Sequence, residues 1–351
     1  MNAPLRIAIT ADPYLPVPPT LYGGIERVVH SLVRGLIARG HHVTLFAHPD
    51  SSTPAPLVPY GQPPHTGLRA RFTELGQLAG HLLKRHRDFD LIHSFGRLAA
   101  LLPLLPLHRL IKIQSYQRLI GNQKSLQRAV RLGGDSIFFT ACASHMWRDL
   151  GDGSGRWFTI FNGADPSCFD FQPDVPSNAP LIFLGRLEFC KGPHHAVAIA
   201  RTAGRRLILA GNKVESPEGL SYFSDFIEPE LTDENIVWAG PVDDIAKNRL
   251  LGSSAALLMP VEWDEPFGIV MAESMACGTP VIAFNRGSVP EVVRDGINGF
   301  RCQGVDDAVS SVARLECIDR RNVRKDFDER FSSEVIVDAY ERLYRQTCVR
   351  S

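Results

Sequence analysis

Short apolar runs alternate along the chain with longer stretches in which apolar residues recur every three or four positions. Residues 5–10 form the first run, and the next stretch carries on one face Ile25, Val28, Val29, Leu32, Val33, Leu36 and Ile37. That spacing predicts a helix with one buried face, which ends near Gly40. Repeated strand–helix–strand units of this kind build parallel sheets, so we predict an α/β protein.

The predicted strands fall into two sets on either side of a linker. The first set covers residues 5–10, 43–46, 91–93, 110–114, 137–140 and 158–161, and the second covers 181–184, 207–210, 236–238, 255–259 and 281–284. Residues 171–178 between them are rich in turn formers. The 351 residues therefore suit two Rossmann-like domains over 1–172 and 173–331, with a helix over 332–351 that packs back toward the first domain. The two parallel sheets are expected to face each other across a cleft.

Composition and charge exclude few functions. Hydrophobic residues make up 44% of the chain and charged residues 22%, as in globular proteins, and 38 basic residues balance 38 acidic ones. Residues 66–131 carry twelve Lys or Arg against three acids, whereas residues 214–246 carry nine acids and no base. The basic stretch suits an anionic acceptor or lipid headgroups, although the simpler interpretation is a solvated helix face. No nucleic-acid partner is expected.

Cysteine usage and the apolar runs bear on location. The seven cysteines are scattered without a C-x-x-C pair, which favours a reducing cytoplasm and argues against structural zinc. The longest apolar candidate, residues 98–107, is broken by Pro103 and Pro106, so neither secretion nor membrane spanning is predicted. We expect a cytoplasmic protein, with a peripheral contact at the inner membrane face as an option for the basic first domain.

Residues 263–273 carry the most specific chemistry. Glu265 lies just before a predicted helix whose first turn, near residues 267–270, exposes backbone N–H groups that can bind an anion. Gly268 keeps that approach open, and Glu273 lies further along the same helix. One carboxylate can then reach a sugar ring and the other a ribose, with a diphosphate at the helix start. Taken alone, the two glutamates are equally consistent with ordinary surface charges.

Other motifs extend this pattern in a fixed order: Gly23-Gly24, 90–93, 161–165, Arg186 with Lys191-Gly192, 276–283, 287–291 and 295–300. With these motifs the sequence resembles family 4 of the retaining glycosyltransferases, which have the GT-B fold and a Glu-x7-Glu signature. The resemblance covers nearly the whole chain. It implies a metal-independent enzyme that moves a hexose from a nucleotide diphosphate sugar to a saccharide, lipid-linked or small-molecule acceptor. A UDP-sugar is favoured as the donor over a GDP-sugar. The first domain would bind the acceptor and the second the donor.

The resemblance also implies roles for individual residues. Glu265, Arg186 and Lys191 would be catalytic, because the two cations can stabilise charge on the leaving diphosphate. The donor would be bound by Gly23, Gly24, Arg186, Lys191, Glu265, Phe267, Gly268, Ile269 and Glu273. Related enzymes often carry a histidine after the strand at 110–114, and here Gln114 or Tyr116 is expected to substitute for it. His93 either faces the cleft or is an internal hydrogen-bonded residue.

No metal and no other cofactor are expected. The two D-x-D triplets, at 88–90 and 326–328, are interpreted as solvated surface. Arg186, Lys191 and a helix N-terminus can balance leaving-group charge in place of a metal. A nucleotide-sugar epimerase or phosphorylase on the same fold, or a non-catalytic nucleotide-sugar-binding protein, is the alternative. A dehydrogenase is disfavoured, since no G-x-G-x-x-G follows the first strand.

Overall fold

The chain divides into two compact units. The computed structural model describes residues 3–20, 23–61 and 67–348. The first unit joins Met1–Phe161 to Ser333–Ser351, and the second is Asn162–Ser332. The division therefore precedes the linker predicted at 171–178, and the last helix is part of the first unit. Within the described ranges, none of the helices is long and apolar enough to cross a bilayer.

The elements follow one another as strand–helix repeats. The first unit begins with β1 (Arg6–Thr10), α1 (Gly24–Ala38), β2 (His42–Ala47), β3 (Leu57–Pro59), α2 (Gly67–Arg85), β4 (Leu91–Ser94), β5 (Ile111–Tyr116), α3 (Gln123–Gly133), β6 (Ile137–Ala141) and β7 (Trp157–Thr159). The second consists of β8 (Leu181–Leu184), α4 (Pro193–Thr202), β9 (Leu207–Ala210), α5 (Pro217–Phe226), β10 (Ile236–Gly240), α6 (Asp244–Ser253), β11 (Ala256–Met259), α7 (Ile269–Ala276), β12 (Val281–Phe284), α8 (Val289–Val292), β13 (Gly299–Cys302), α9 (Val305–Val312) and α10 (Arg320–Arg330). The chain then returns to the first unit with α11 (Ser333–Cys348).

Each unit is built on a parallel sheet. Among the described residues, the first sheet has the strand order β3-β2-β1-β4-β5-β6-β7 and the second has the order β10-β9-β8-β11-β12-β13. The order reverses between β1 and β4 and between β8 and β11. In doubly wound sheets, ligands bind outside the carboxyl ends of the strands at such reversals. The predicted α/β class with two Rossmann-like domains is confirmed.

The sequence pattern predicts the central elements better than the edges. The bounds of β8, β9 and β12 are those predicted, and Gly40 adopts φ +83° just past α1. The prediction omits β3 and β13, which are both edge strands. β3 is only three residues long, and β13 contains Gly299, where an added Cβ would collide with the Val281 carbonyl oxygen. Short edge strands with such residues lack an apolar pattern.

The last helix, α11, completes the core of the first unit. Its buried residues include Ile336, Val337, Tyr340, Leu343 and Tyr344. It packs on α1, where Gly35 makes room for Val337, since a Cβ on Gly35 would lie 2.6 Å from a Val337 methyl carbon. The first unit is therefore assembled from both ends of the chain.

Candidate active site

Two loops at the reversal of the second sheet carry the predicted catalytic residues. Loop 185–192 follows β8 and leads to α4, and loop 260–268 follows β11 and leads to α7. Because β8 and β11 are adjacent parallel strands, both loops leave the same edge of the sheet. Arg186 and Lys191 lie in the first loop, and Glu265 lies in the second.

Backbone contacts hold the two loops together. Gly192 has φ +73°, and an added Cβ there would collide with the Pro260 carbonyl oxygen. The Glu262 N–H donates to the Cys190 carbonyl oxygen at 2.8 Å. Lys191 is thereby held beside loop 260–268.

Lys191, Trp263 and Glu265 form the centre of the site. The Lys191 Nζ lies 2.5 Å from Glu265 Oε2, which also accepts a hydrogen bond from Trp263 Nε1 at 2.9 Å. The Lys191 Nζ is 4.8 Å from the centre of the Trp263 ring, within the range of a cation–π contact. The side chains of Lys191 and Glu265 are 21% and 12% exposed, so the ion pair is open to a ligand.

Gly287 and Ser288 fix the backbone of Glu265. Gly287 has φ +55°, and an added Cβ would lie 2.5 Å from the Glu265 carbonyl oxygen and closer still to its nitrogen. The Ser288 N–H donates to the Glu265 carbonyl at 3.0 Å, and its Oγ donates to the Phe267 carbonyl at 2.8 Å. A side chain at position 287 would therefore displace the segment that carries Glu265.

The N-terminus of α7 lies directly after this segment. Gly268 is its N-cap, with φ +73°, and the helix begins at Ile269. Helix geometry leaves the N–H groups of Ile269 and Val270 without intrahelical acceptors, at the positive end of the helix dipole. The Phe267 ring is buried and lies 5.9 Å from the Phe331 ring. A donor contact at Phe267 is thus limited to its backbone.

Glu273 is buried on α7 and forms an ion pair. Its Oε1 lies 2.5 Å from the Lys247 Nζ, which is also 3.1 Å from Asp244 Oδ1. Among the described residues, no hydrogen bond involves the Glu273 Oε2. One carboxylate oxygen is thus held by the protein, and the other is available to a ligand hydroxyl.

Arg186 lies apart from this centre. Its side chain is 44% exposed, and its guanidinium forms an ion pair with Glu188 at 2.7 Å. Among the described residues, no hydrogen bond or ion pair joins Arg186 to Lys191 or Glu265. The structure therefore brings together two of the three predicted catalytic side chains.

His194, His195 and Glu262 form a group of described residues with metal-ligand spacing, their ligand atoms lying within 4.8 Å of one another. These atoms already have protein partners. His195 Nε2 is 2.5 Å from Glu262 Oε1, His194 Nδ1 is 2.6 Å from the Tyr222 hydroxyl, and Arg286 is 3.4 Å from Glu262 Oε2. Burial, helped by the adjacent His195, lowers the pKa of His194 to about 4.

The D-x-D triplets are engaged in ion pairs. Asp326 is 3% exposed and lies 2.7 Å from an Arg294 nitrogen and 2.9 Å from an Arg330 nitrogen. The interpretation of this triplet as solvated surface is wrong for Asp326, because two arginines compensate its burial. Asp90 of the other triplet pairs with Arg6 at 2.7 Å.

The second unit thus presents a cation, a carboxylate and a helix N-terminus at one sheet edge, a set suited to a phosphorylated substrate. Residues 171–331 match the family model "Glycosyl transferases group 1", and residues 22–117 match the model "Glycosyltransferase Family 4". The chain belongs to glycosyltransferase family 4. As a class of enzyme, it is a glycosyltransferase.

Known proteins resemble this glycosyltransferase over nearly their whole length. A glycogen synthase of Mycobacterium tuberculosis is 26% identical over 370 residues, which cover 90% of this chain and 86% of that protein. AviGT4, a glycosyltransferase involved in avilamycin A biosynthesis, has a TM-score of 0.72 at 24% identity, with 99% of both chains covered. Anabaena Alr3699/HepE in complex with UDP and glucose has a TM-score of 0.73 at 18% identity, with 97% of this chain and 100% of that chain covered. The shared architecture is the GT-B fold.

In the first unit of this glycosyltransferase, Gly23 and Gly24 stand at the start of α1. Gly23 is the N-cap, with φ +153°, and an added Cβ would lie 2.7 Å from the Pro19 side chain and 2.9 Å from Glu26 Oε2. Local packing therefore already requires a glycine at position 23. The donor-binding role of Gly23 and Gly24 stays a proposal.

His93 is an internal residue of the first unit. It is fully buried, with Nδ1 2.6 Å from the Tyr344 hydroxyl and Nε2 2.6 Å from Ser115 Oγ. Burial lowers its pKa to about 3, so the ring is neutral. Of the two interpretations of His93, the structure supports the internal hydrogen-bonded residue and not the cleft-facing one, since both ring nitrogens are engaged within the unit.

Gln114 and Tyr116 are held by neighbours on β5 and around it. Gln114 is 1% exposed, and its Nε2 donates to the Gly96 carbonyl at 2.8 Å. The Tyr116 ring packs against the Trp157 ring, with centroids 5.5 Å apart, and burial raises the pKa of Tyr116 to about 12. Their part in acceptor or sugar binding stays a proposal.

Sequence reasoning missed several residues of the site. Lys247, the partner of Glu273, is the first base after the acidic stretch 214–246, which was the one available signal. Trp263 is the first residue of the segment 263–273, but nothing in its spacing indicated a bond to Glu265. The contact of His195 with Glu262 joins α4 to loop 260–268, two segments that are distant in sequence.

Proposed function

We propose that this glycosyltransferase moves a hexose from a nucleoside diphosphate sugar to a hydroxyl group of a saccharide, lipid-linked or small-molecule acceptor. A UDP-sugar is favoured as the donor over a GDP-sugar. The observation that carries the proposal is the Lys191–Glu265 pair beside the start of α7. The similarity to a glycogen synthase and to a protein bound to UDP and glucose supports the donor class.

The donor diphosphate would bind at the N-terminus of α7. The N–H groups of Ile269 and Val270 would donate to phosphate oxygens, as helix N-termini do for anions. Lys191 would exchange its contact with Glu265 for a phosphate oxygen. Arg186, whose side chain is half exposed, would turn from Glu188 toward the same phosphates. Glu265 would then be free to face the sugar.

Transfer with retention would proceed on the face from which the diphosphate leaves. The bond between the anomeric carbon and the phosphate oxygen breaks, and Lys191 with the α7 N-terminus stabilises the negative charge that develops. Glu265 stabilises positive charge on the sugar ring. The acceptor oxygen bonds to the anomeric carbon, and its proton passes to the departing phosphate. A covalent glycosyl adduct trapped on Glu265 would contradict this route.

The proposal needs no metal, because Lys191 and the α7 N-terminus supply the positive charge that a metal would otherwise provide. Glu273 would bind the ribose hydroxyls through Oε2 while Lys247 holds Oε1. The two glutamates therefore have separate roles, one at the sugar and one at the nucleoside.

Thermal unfolding with UDP, GDP and ADP, each in EDTA, tests this proposal. A nucleotide at about a hundred times its Kd adds about 2.7 kcal/mol to the free energy of unfolding. We expect UDP to stabilise the wild type in EDTA and to stabilise Glu273→Gln much less. Glutamine can still accept a hydrogen bond from Lys247, which limits any structural effect, and the exposed Glu329→Gln is the matched control.

Three outcomes of this experiment would count against the proposal. Stabilisation by none of the nucleotides would leave the chain without a donor site. Loss of stabilisation in EDTA would contradict metal independence. An equal response of wild type and Glu273→Gln would remove the ribose role of Glu273.

We propose a cytoplasmic location from the scattered cysteines, and a peripheral membrane contact from the basic stretch 66–131. Not all its bases are at the surface: Lys112 is fully buried and donates to Ser136 Oγ at 2.6 Å. Exposed bases such as Arg69 and Arg128 would make the contact. Co-sedimentation with vesicles rich in phosphatidylglycerol, compared with neutral vesicles, tests the membrane part.

A further inference from the structure

Three side chains with metal-binding chemistry meet where α4 approaches loop 260–268. His194 and His195 lie in the first turn of α4, and Glu262 lies in the loop that follows β11. The ligand atoms of these three residues lie within 4.8 Å of one another, and each residue is partly exposed. None of the three is among the proposed donor-binding residues. The fold thus brings two imidazoles and one carboxylate together from two segments that lie far apart in the sequence.

His194 has one ring nitrogen held and the other available to a ligand. Its Nδ1 lies 2.6 Å from the Tyr222 hydroxyl, and its ring stacks on the Phe189 ring with centroids 5.1 Å apart. Among the described residues, no hydrogen bond involves its Nε2. Burial, helped by His195, lowers the pKa of His194 to about 4, so the ring is neutral at pH 7. A neutral imidazole whose second nitrogen is held by a hydrogen bond is the usual form of a metal-binding histidine.

His195 and Glu262 share a contact that a metal ion can replace. The His195 Nε2 lies 2.5 Å from Glu262 Oε1, and this contact requires a proton on one of the two atoms. A divalent metal binds the deprotonated forms of both groups and releases that proton. Glu262 Oε2 lies 3.4 Å from a nitrogen of Arg286, whose side chain is 50% exposed and can turn toward solvent. Neither contact of Glu262 therefore prevents it from coordinating an ion.

The backbone holds the two segments in place before any ion binds. The Glu262 N–H donates to the Cys190 carbonyl oxygen at 2.8 Å, and Gly192 packs against the Pro260 carbonyl. A site formed in advance binds a ligand without the cost of ordering the groups that contact it. Since Lys191 lies between Cys190 and Gly192, an ion here would clamp the segment that carries Lys191 to the loop of Glu262.

A surface cavity beside His194 gives an ion access to the cluster. The cavity has a volume of about 420 Å³ and is lined also by Val197, Arg201, Phe226 and Glu230. Water molecules can enter it and supply the fourth ligand that a zinc ion with three protein ligands requires. Access and hydration are therefore provided on the His194 side.

We propose that His194, His195 and Glu262 bind a divalent transition metal ion, with Zn²⁺ the best-matched ion, which clamps the start of α4 to the loop that follows β11. Two imidazoles, one carboxylate and a water are a known ligand set for Zn²⁺. Mg²⁺ prefers oxygen ligands. Arg286 and the positive end of the α4 dipole repel any cation, so an ion that imidazole binds weakly is excluded. The ion takes no part in the transfer reaction proposed above, which needs no metal.

Isothermal titration calorimetry on the full chain, stripped of metal with EDTA and then freed of EDTA, tests the inference with ZnCl₂ and MgCl₂. We expect a single Zn²⁺ per chain and no measurable binding of Mg²⁺. His195→Gln and Glu262→Gln should each weaken Zn²⁺ binding by more than about tenfold, since losing even an outer partner of a metal ligand costs about 10- to 100-fold. Either glutamine can keep a hydrogen bond to the remaining partner, which limits structural effects. His42→Gln, at an exposed position of the first unit, should leave Zn²⁺ binding unchanged.

Binding at cysteine thiolates is the competing explanation for a Zn²⁺ signal, and Co²⁺ separates the two. Co²⁺ bound to nitrogen and oxygen ligands shows d–d bands in the visible range, whereas a thiolate ligand adds a charge-transfer band in the near ultraviolet. We expect the visible bands alone. A charge-transfer band, an equal Zn²⁺ affinity of the wild type and both variants, or no Zn²⁺ binding to the wild type would each overturn the inference.

Discussion

At the scale of single residues, the Lys191 Nζ is held between a carboxylate and an aromatic ring. Glu265 lies 2.5 Å away and the Trp263 ring centre 4.8 Å away, so the ammonium group already stands at the sheet edge when the donor exchanges a phosphate oxygen for Glu265. An oriented cation does not need to reorganise when negative charge develops, and this is the main source of electrostatic catalysis. The effect of Lys191 should therefore appear in the rate more than in stability.

Lys191→Ala should slow the release of UDP from UDP-glucose by about 10²- to 10³-fold, the usual cost of removing one charge-stabilising donor. The release of UDP in saturating UDP-glucose measures this effect. Lys325→Ala is the control, because Lys325 is 72% exposed on α10. A rate for Lys191→Ala equal to that of the control would contradict the catalytic role.

His93 should make the first unit sensitive to acid. Its pKa is about 3 when folded and about 6.5 in an unfolded chain, so protons bind preferentially to the unfolded state. The resulting stability is fully present above pH 6.5 and is lost as the pH falls toward 3, by up to about 1.4 kcal/mol per pH unit. Urea unfolding at several pH values should show this slope in the wild type and a smaller slope in His93→Gln. Equal slopes would show that His93 does not titrate in this way.

At the scale of elements, the site depends on glycines that let loops approach each other. Gly192 brings the start of α4 against Pro260, and Gly287 brings the segment before α8 against Glu265. Both have positive φ, so two separate constraints, conformation and space, act at each position. The two constraints can be separated by comparing a glycine that has both with a glycine that has a positive φ but open space around it.

Gly287→Ala should lower both the free energy of unfolding and the rate of UDP release, because the added alanine Cβ collides with the Glu265 backbone. Gly296→Ala is the matched control: Gly296 has φ +73°, but an added Cβ there meets nothing within 4 Å. The control should lose only about 1–2 kcal/mol of unfolding free energy from backbone strain and should keep its activity. Equal activity of the two variants would show that the loop tolerates the collision.

At the scale of the whole molecule, the chain forms two cores, and α11 belongs to the first. Tyr340 and Tyr344 on α11 pack around His93, with centroids 5.0 Å and 5.6 Å from its ring. The second unit has its own buried residues on β8, β11 and β12. A cavity in one core should therefore affect that unit first.

Tyr340→Ala should lower the free energy of unfolding by about 3–5 kcal/mol, as other large-to-small aromatic substitutions do. The first unit should be the one that is destabilised. Hydrogen exchange followed by mass spectrometry should show faster exchange in peptides from β4, β5 and α1. Peptides from β8 to β13 should exchange at the wild-type rate. Equal acceleration in both units would contradict the assignment of α11 to a separate core.

The sequence predicted the fold well because buried parallel strands are continuous apolar runs, as at Leu181–Leu184 and Val281–Phe284. Edge strands β3 and β13 were missed, since each is only three or four residues long and contains a proline or a glycine, Pro59 and Gly299, which interrupts the apolar run. In the site, motif order pointed to Lys191 and Glu265, which the structure places together. The partners Lys247 and Trp263 could not be found from the sequence. Lys247 on α6 meets Glu273 on α7 through a tertiary contact, and the bond from Trp263 to Glu265 depends on the course of loop 260–268; neither leaves a periodic signal. The burial of His93 depends on α11, about 250 residues away.

The most direct test of donor binding at the edge of the second sheet is hydrogen exchange of the full chain with and without saturating UDP-glucose in EDTA. We expect slower exchange in peptides that cover 185–192 and 260–273, where Lys191, Glu265 and the start of α7 lie. Protection should be weaker in Lys191→Ala. Protection absent from both segments, or unchanged in Lys191→Ala, would contradict the claim that this sheet edge binds the donor.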